Sequence, residues 1–166
     1  EGFLSRLPAG WPYGVEIRNP GFLKEPYFAA LARHRVAHVF NSWEAMPPVG
    51  DQLAMPGAFT HPELAAARFL LRPGRAYEDA VKSFSPYNEV RDPYPEARAA
   101  GTDLIRRVAG RAPGAPRKLY LFVNNRLEGN ALATLRAMVH ELTGDAATTG
   151  GASLPPAGPG DGKLAT

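Results

Sequence analysis

The residues best suited to chemistry gather in two short stretches. Glu16 and Arg18 stand two apart in Tyr13-Gly14-Val15-Glu16-Ile17-Arg18-Asn19-Pro20. A strand would put this acid and base on one face, with Val15 and Ile17 on the other. Desolvating either charge is costly unless the two pair, so they read as reactive groups or as a structural ion pair. The second stretch follows the apolar run Leu119–Val123 and crowds Asn124, Asn125, Arg126, Glu128 and Asn130 onto one turn around Gly129. Backbone N–H groups at the start of the next helix, with Arg126 as a bidentate donor, would suit a small anion such as phosphate. Ordinary turn chemistry would select the same Asn and Gly residues. Glu16, Glu44 and Glu128 could supply a carboxylate pair for hydrolase-like acid–base work. Asn41, Trp43 and Arg72 complete the candidate ligand-binding set with Asn19, Asn124, Asn125, Arg126 and Asn130. Trp43 offers a stacking platform or plain packing.

Metal and cofactor chemistry have little to draw on. The chain has no Cys and four His. His34 and His38 straddle a helix end and a strand start, so they share no helical face. No metal site and no cofactor are called for.

These groups need elements to hold them. Leu119–Val123 is too short for a helix and rich in β-branched and aromatic residues, so it predicts a strand. Asn130 is placed to cap a helix running to about Leu142, with Leu132, Leu135, Val139 and Leu142 as its apolar face and Gly144 as its C′ residue. Upstream, Glu1–Leu7 reads as a helix end and Tyr13–Pro20 as a strand. Phe22–His34 reads as a helix with Leu23, Tyr27, Phe28 and Leu31 inward. Val36–Phe40 is a second strand, leading into a long Pro-, Gly- and Met-rich loop to Thr60, of a length that is usually functional or disordered. Ala65–Arg72 is a third strand, giving Arg68 and Arg72 like parity. Tyr77–Phe84 and Glu96–Ala109 are helices. The order β-α-β-loop-β-α-α-β-α predicts a parallel sheet with right-handed crossovers. Residues 144–166 are mostly Ala, Thr, Gly and Pro and read as a disordered tail after a domain spanning 1–143.

The formal charge is +3, from 19 Lys+Arg against 16 Asp+Glu. That is a weak footprint for nucleic acid. A nucleic-acid-binding module using Arg68, Arg72, Arg75, Arg106, Arg107 and Arg111 is kept as the rival from another class. No apolar run reaches membrane-span length and no signal peptide is visible, so no membrane partner is expected and a cytoplasmic setting fits. The opening residue is Glu1 rather than Met, which suggests a partial or processed product.

Taken together, Val15-Glu16-Ile17-Arg18-Asn19-Pro20 and Tyr120-Leu121-Phe122-Val123-Asn124-Asn125, followed by Gly129 and Ala131, resemble the YecE-like family, domain of unknown function 72. The resemblance covers roughly residues 1–143. It implies a TIM-type (β/α)8 barrel, with these four strands as the fifth to eighth, and hence the C-terminal half of a family member. It implies no established activity. Asn19 stands where the family often has His, and Phe22 where Trp is common. TIM-barrel sites form at the C-terminal ends of the strands. The expected function is therefore binding of, or action on, a small polar or phosphate-bearing ligand there, with Glu16, Arg18 and Glu128 as the catalytic candidates. A half-barrel without activity of its own is the third reading. The isolated chain is expected either to be unstable or to dimerise so that two halves complete one barrel, because its edge strands and inward face would otherwise be open.

Overall fold

A computed structural model describes residues 1–112 and 114–143. The four strands are β1 (Gly14–Val15), β2 (Ala37–Ser42), β3 (Leu64–Phe69) and β4 (Lys118–Val123). They form one sheet in the order β1-β2-β3-β4, and every neighbouring pair is parallel. The helices are α1 (Glu25–Arg33), α2 (Val49–Ala54), α3 (Tyr77–Phe84), α4 (Pro95–Ala109) and α5 (Ala131–Thr143). Sequential parallel βα units of this kind are the architecture of half a (β/α)8 barrel, as expected.

Burial along each strand tells which side the helices cover. β3 alternates, with Ala65, Ala67 and Phe69 buried and Leu64, Ala66 and Arg68 more open. Ala67 and Phe69 pack with Phe40 of β2 against Phe28 of α1, Leu53 of α2, Leu104 of α4 and Met138 of α5. Burying a side chain such as Phe40 or Phe69, both 0% exposed, contributes roughly 1.5–3 kcal/mol. β2 is central and buried along its whole length. A smaller cluster under α3 joins Leu70, Leu71, Ala80 and Phe84 to Trp43 and Tyr87. Gly101 sets the closeness of α4 and α5: a Cβ there would lie 2.6 Å from the Met138 sulfur.

Several boundaries differ from the sequence-based expectation. The opening segment makes only a 3-10 turn at Leu4–Arg6. Of Tyr13–Pro20, only Gly14 and Val15 pair as a strand. The helix expected from Phe22 begins at Glu25, after a 3-10 turn at Pro20–Phe22 capped by the Asn19 side chain. The second strand runs on to Ser42. The long loop contains α2, anchored by Gln52, whose carboxamide accepts from the Asn41 N–H at 3.2 Å and donates to the Asn41 and Pro47 carbonyls at 2.7 Å each. The third strand ends at Phe69, so the parity expected to link Arg68 and Arg72 does not hold.

The largest correction concerns α5. Its expected core face is turned outward: Leu132 is 69% and Val139 51% exposed. The helix instead buries Thr134 and Met138. Gly144 and the 144–166 tail lie outside the described residues.

Candidate functional site

Glu16 and Arg18 follow β1 and project to the same side, as period two requires. Glu16 Oε1 accepts from Arg18 Nε at 3.0 Å. Its other oxygen accepts from Arg68 Nη1, reaching across the sheet from β3. Arg68 belongs to the face of β3 away from the helices, so Glu16 faces the barrel side too. The Arg18 guanidinium lies 3.9 Å from the centre of the Trp43 ring. One carboxylate thus serves two guanidiniums, and the cluster keeps a positive balance. Both Arg side chains remain more than two-fifths exposed, whereas Glu16 is largely covered.

Asn41 occupies the register position beside Arg68. Its Nδ2 donates to Ile17 O at 2.9 Å, and more weakly to Val39 O. Its Oδ1 is buried without a hydrogen-bond partner. Asn19 is committed locally, accepting from Gly21 N at 3.0 Å.

A second cationic group sits beyond the C-terminal ends of β3 and β4. Asp92 accepts from Arg72 Nη1 at 3.2 Å on each oxygen and from Arg75 Nη2. The Arg72 guanidinium stacks 4.6 Å from Tyr94 and that of Arg75 4.9 Å from Phe84. Arg75 also reaches Leu127 O at 3.4 Å. Arg126 stacks 4.5 Å from the Tyr77 ring.

The turn after β4 is built differently from the open anion cradle expected. Asn124 Oδ1 accepts from Arg126 N, Asn125 Oδ1 from Ala131 N, and Asn130 Oδ1 from Ala133 N, all at 2.8–2.9 Å. Gly129 N donates to Asn125 O. The amides of Arg126, Ala131 and Ala133 are thus capped by the turn's own asparagines, an arrangement ordinary turn chemistry supplies. Glu128 is fully buried. It accepts from Tyr94 N, from Arg98 Nε and Nη2 at 2.9 Å, and from the Thr134 hydroxyl at 2.6 Å. Glu16 and Glu128 follow strands at opposite edges of the sheet, so these two carboxylates do not pair with each other within the four-stranded sheet. Glu44 is exposed.

The rival arginine set is divided. Arg68, Arg72 and Arg75 lie at the C-terminal end of β3, while Arg106, Arg107 and Arg111 lie around the C-terminal end of α4, where the chain turns back toward the start of β4. Arg107 pairs with Asp103 at 2.8 Å, and Arg106 donates to Glu141 O at 2.7 Å. Asp92 and Arg98 were not among the candidates, and their ion-pair partners are 17 to 30 residues away. No local spacing signals pairs at that separation.

Half of a parallel (β/α)8 barrel, with polar side chains at the C-terminal ends of its strands, defines the class. Within it, the family model for the protein of unknown function DUF72 matches residues 1–159, and the chain belongs to that family. Among solved structures, a DUF72 family protein from Enterococcus faecalis V583 is 17% identical with a TM-score of 0.54, the match covering 81% of this chain and 50% of that one. A second structure of that protein gives 16% identity and a TM-score of 0.52, over 89% of this chain and 53% of that one. A DUF72 family protein from Thermotoga maritima MSB8 is 18% identical, with a TM-score of 0.47, over 82% of this chain and 47% of that one. The chain therefore spans about half the length of these structures. No curated protein matches. Among the described residues, no helix is long and apolar enough to cross a membrane.

Proposed function

We propose that the chain binds a small anionic ligand, of the phosphate or carboxylate class, on the barrel side of the strand C-terminal ends. The observation that carries this is the single carboxylate of Glu16 shared between Arg18 and Arg68. The sharing orients two guanidiniums while leaving a positive charge and exposed N–H donors beside a stacked Trp43. Planar guanidiniums bind carboxylate and phosphate through paired hydrogen bonds. In this reading Glu16 positions the arginines, and Glu128 braces the opposite edge from within the core.

Calorimetric titration with inorganic phosphate tests it. Arg68→Ala should weaken binding by about 1–3 kcal/mol, the loss expected of a charge-assisted contact. Arg126→Ala should change it little, since that side chain stacks on Tyr77 instead. No binding of phosphate, sulfate or a simple carboxylate by the unaltered chain would defeat the proposal. So would a steep salt dependence of binding to nucleic acid far stronger than to any small anion.

A further inference from the structure

We infer that the ligand of the arginine site carries two anionic groups, the second held by Arg72 and Arg75 in place of the Asp92 carboxylate. The inference rests on the ligand reading above and adds the class of ligand, a small molecule with a phosphate or carboxylate at each end of a short polar body.

The arrangement at Glu16 recurs at Asp92. Glu16 accepts from Arg18 and Arg68, and Asp92 accepts from Arg72 and Arg75. Arg18 lies on the Trp43 ring, Arg72 on Tyr94 and Arg75 on Phe84. Each group is one carboxylate serving two guanidiniums, so each keeps a net positive charge. Stacking on a ring fixes the plane of a guanidinium and leaves its N–H edge to face an anion. Arg72 bonds to Asp92 through Nη1 alone, so its Nε and Nη2 have no acceptor among the described residues. The Asp92 side chain is 38% exposed against 19% for Arg75, so a ligand anion can reach the guanidiniums from the side Asp92 occupies. The Asp92 backbone is held by the Glu128 carbonyl, which lets the side chain swing aside without moving the loop.

The two groups are neighbours. Past Phe69 the chain continues along the end of β2: Leu71 N donates to Ser42 O at 3.2 Å and Gly74 N to Glu44 O at 2.9 Å. The backbone of Arg72 therefore runs beside that of Trp43, whose ring carries Arg18. Trp43 also packs on the cluster of Leu70, Leu71, Ala80 and Phe84, and Phe84 carries Arg75. One apolar wall thus has a guanidinium pair on either side of it. Arg68 and Arg72, four residues apart, are separated by at most about 14 Å at Cα, a span that a short molecule can bridge. A free phosphate must displace Asp92 unaided. A ligand already anchored at Arg18 and Arg68 brings its second anionic end at a high effective concentration.

Calorimetric titration of the purified chain with inorganic phosphate and with methylene-, propylene- and hexylene-bisphosphonate, at equal ionic strength, tests this. At least one bisphosphonate should bind about tenfold or more tightly than phosphate, beyond the gain of about twofold that two equivalent heads supply by statistics. The ratio of the two affinities is the readout, because misfolded protein lowers the bound stoichiometry and leaves the ratio alone. Arg72→Gln should bring the ratio down to about twofold. Arg107→Gln, at an exposed arginine outside both groups, should leave it unchanged. Asp92→Asn should raise it, because no carboxylate is left to displace. A gain of only about twofold for every bisphosphonate, a ratio unmoved by Arg72→Gln, or one lowered by Asp92→Asn would overturn the inference and leave the ligand reading standing. Binding of neither phosphate nor any bisphosphonate would defeat the ligand reading itself and this inference with it.

Discussion

At the scale of single residues, burial separates ion pairs that look alike in sequence. The Glu128 side chain is 0% exposed and that of Arg98 20%, whereas Arg107 and Asp103 are both above two-fifths exposed. Removing one partner of a buried pair leaves an uncompensated charge and costs about 3–5 kcal/mol, while an exposed i,i+4 pair contributes about 0.3–0.5 kcal/mol. Arg98→Ala is therefore expected to lower stability in urea denaturation by several kcal/mol, and Arg107→Ala by less than 1. Equal losses would show that the Glu128 network is not the brace it looks like. Glu128 was recognisable as chemically capable from its place in a polar turn. Its depth was not, because the groups that bury it come from α4, some thirty positions earlier.

At the scale of elements, two packings carry predictions. β2 places His38 against Tyr27, Phe28 and Phe40, with Nδ1 3.0 Å from the Tyr27 hydroxyl. Burial pushes the imidazole from the usual 6.5 down to about 4. The unfolded chain protonates His38 below pH 6.5 while the folded chain keeps it neutral. This contribution is therefore complete above pH 6.5 and is lost as pH falls toward 4, a change of about 3 kcal/mol. His38→Phe should flatten the stability profile in that window, and an unchanged slope would assign the acid sensitivity elsewhere. The second packing is between the turn after β4 and the loop before α4. Gly129 has φ +115, and a Cβ there would run into the Glu89 carbonyl. The adjacent Glu128 carbonyl accepts from Arg91 N and Asp92 N, which sets Asp92 in place for Arg72 and Arg75. Gly129→Ala should cost about 1–3 kcal/mol from backbone strain alone, measured by thermal melting, and should loosen the Asp92 contacts. The strand–helix alternation was legible because period-two and period-3.6 patterns are local. α2 was not, since its reason for existing is one side chain, Gln52, bonding to the backbone of β2.

At the scale of the whole molecule, the sequence pattern of α5 was right about amphipathicity and wrong about which face meets this core. A stripe of Leu132, Leu135 and Val139 records that the helix has apolar neighbours, without saying whether they belong to the same chain. The buried face is narrower, and relies on Met138 against Gly101 and on Thr102 donating to the Met138 carbonyl. If two copies share that stripe, folding and association are linked, and the melting temperature should rise with protein concentration. A melting temperature independent of concentration would mean that the four-unit chain is stable alone.

The two tryptophans of the chain stand in different settings. Trp43 lies under the guanidinium of Arg18, and Trp11 is 73% exposed at the β1 end. The molecule therefore carries two intrinsic optical reporters. Each can be isolated by converting the other to Phe. Emission from Trp43 would follow occupancy of the arginine cluster, and emission from Trp11 would shift to shorter wavelength if anything covered that exposed ring, so that ligand capture and burial of the β1 end can be timed separately in one cuvette.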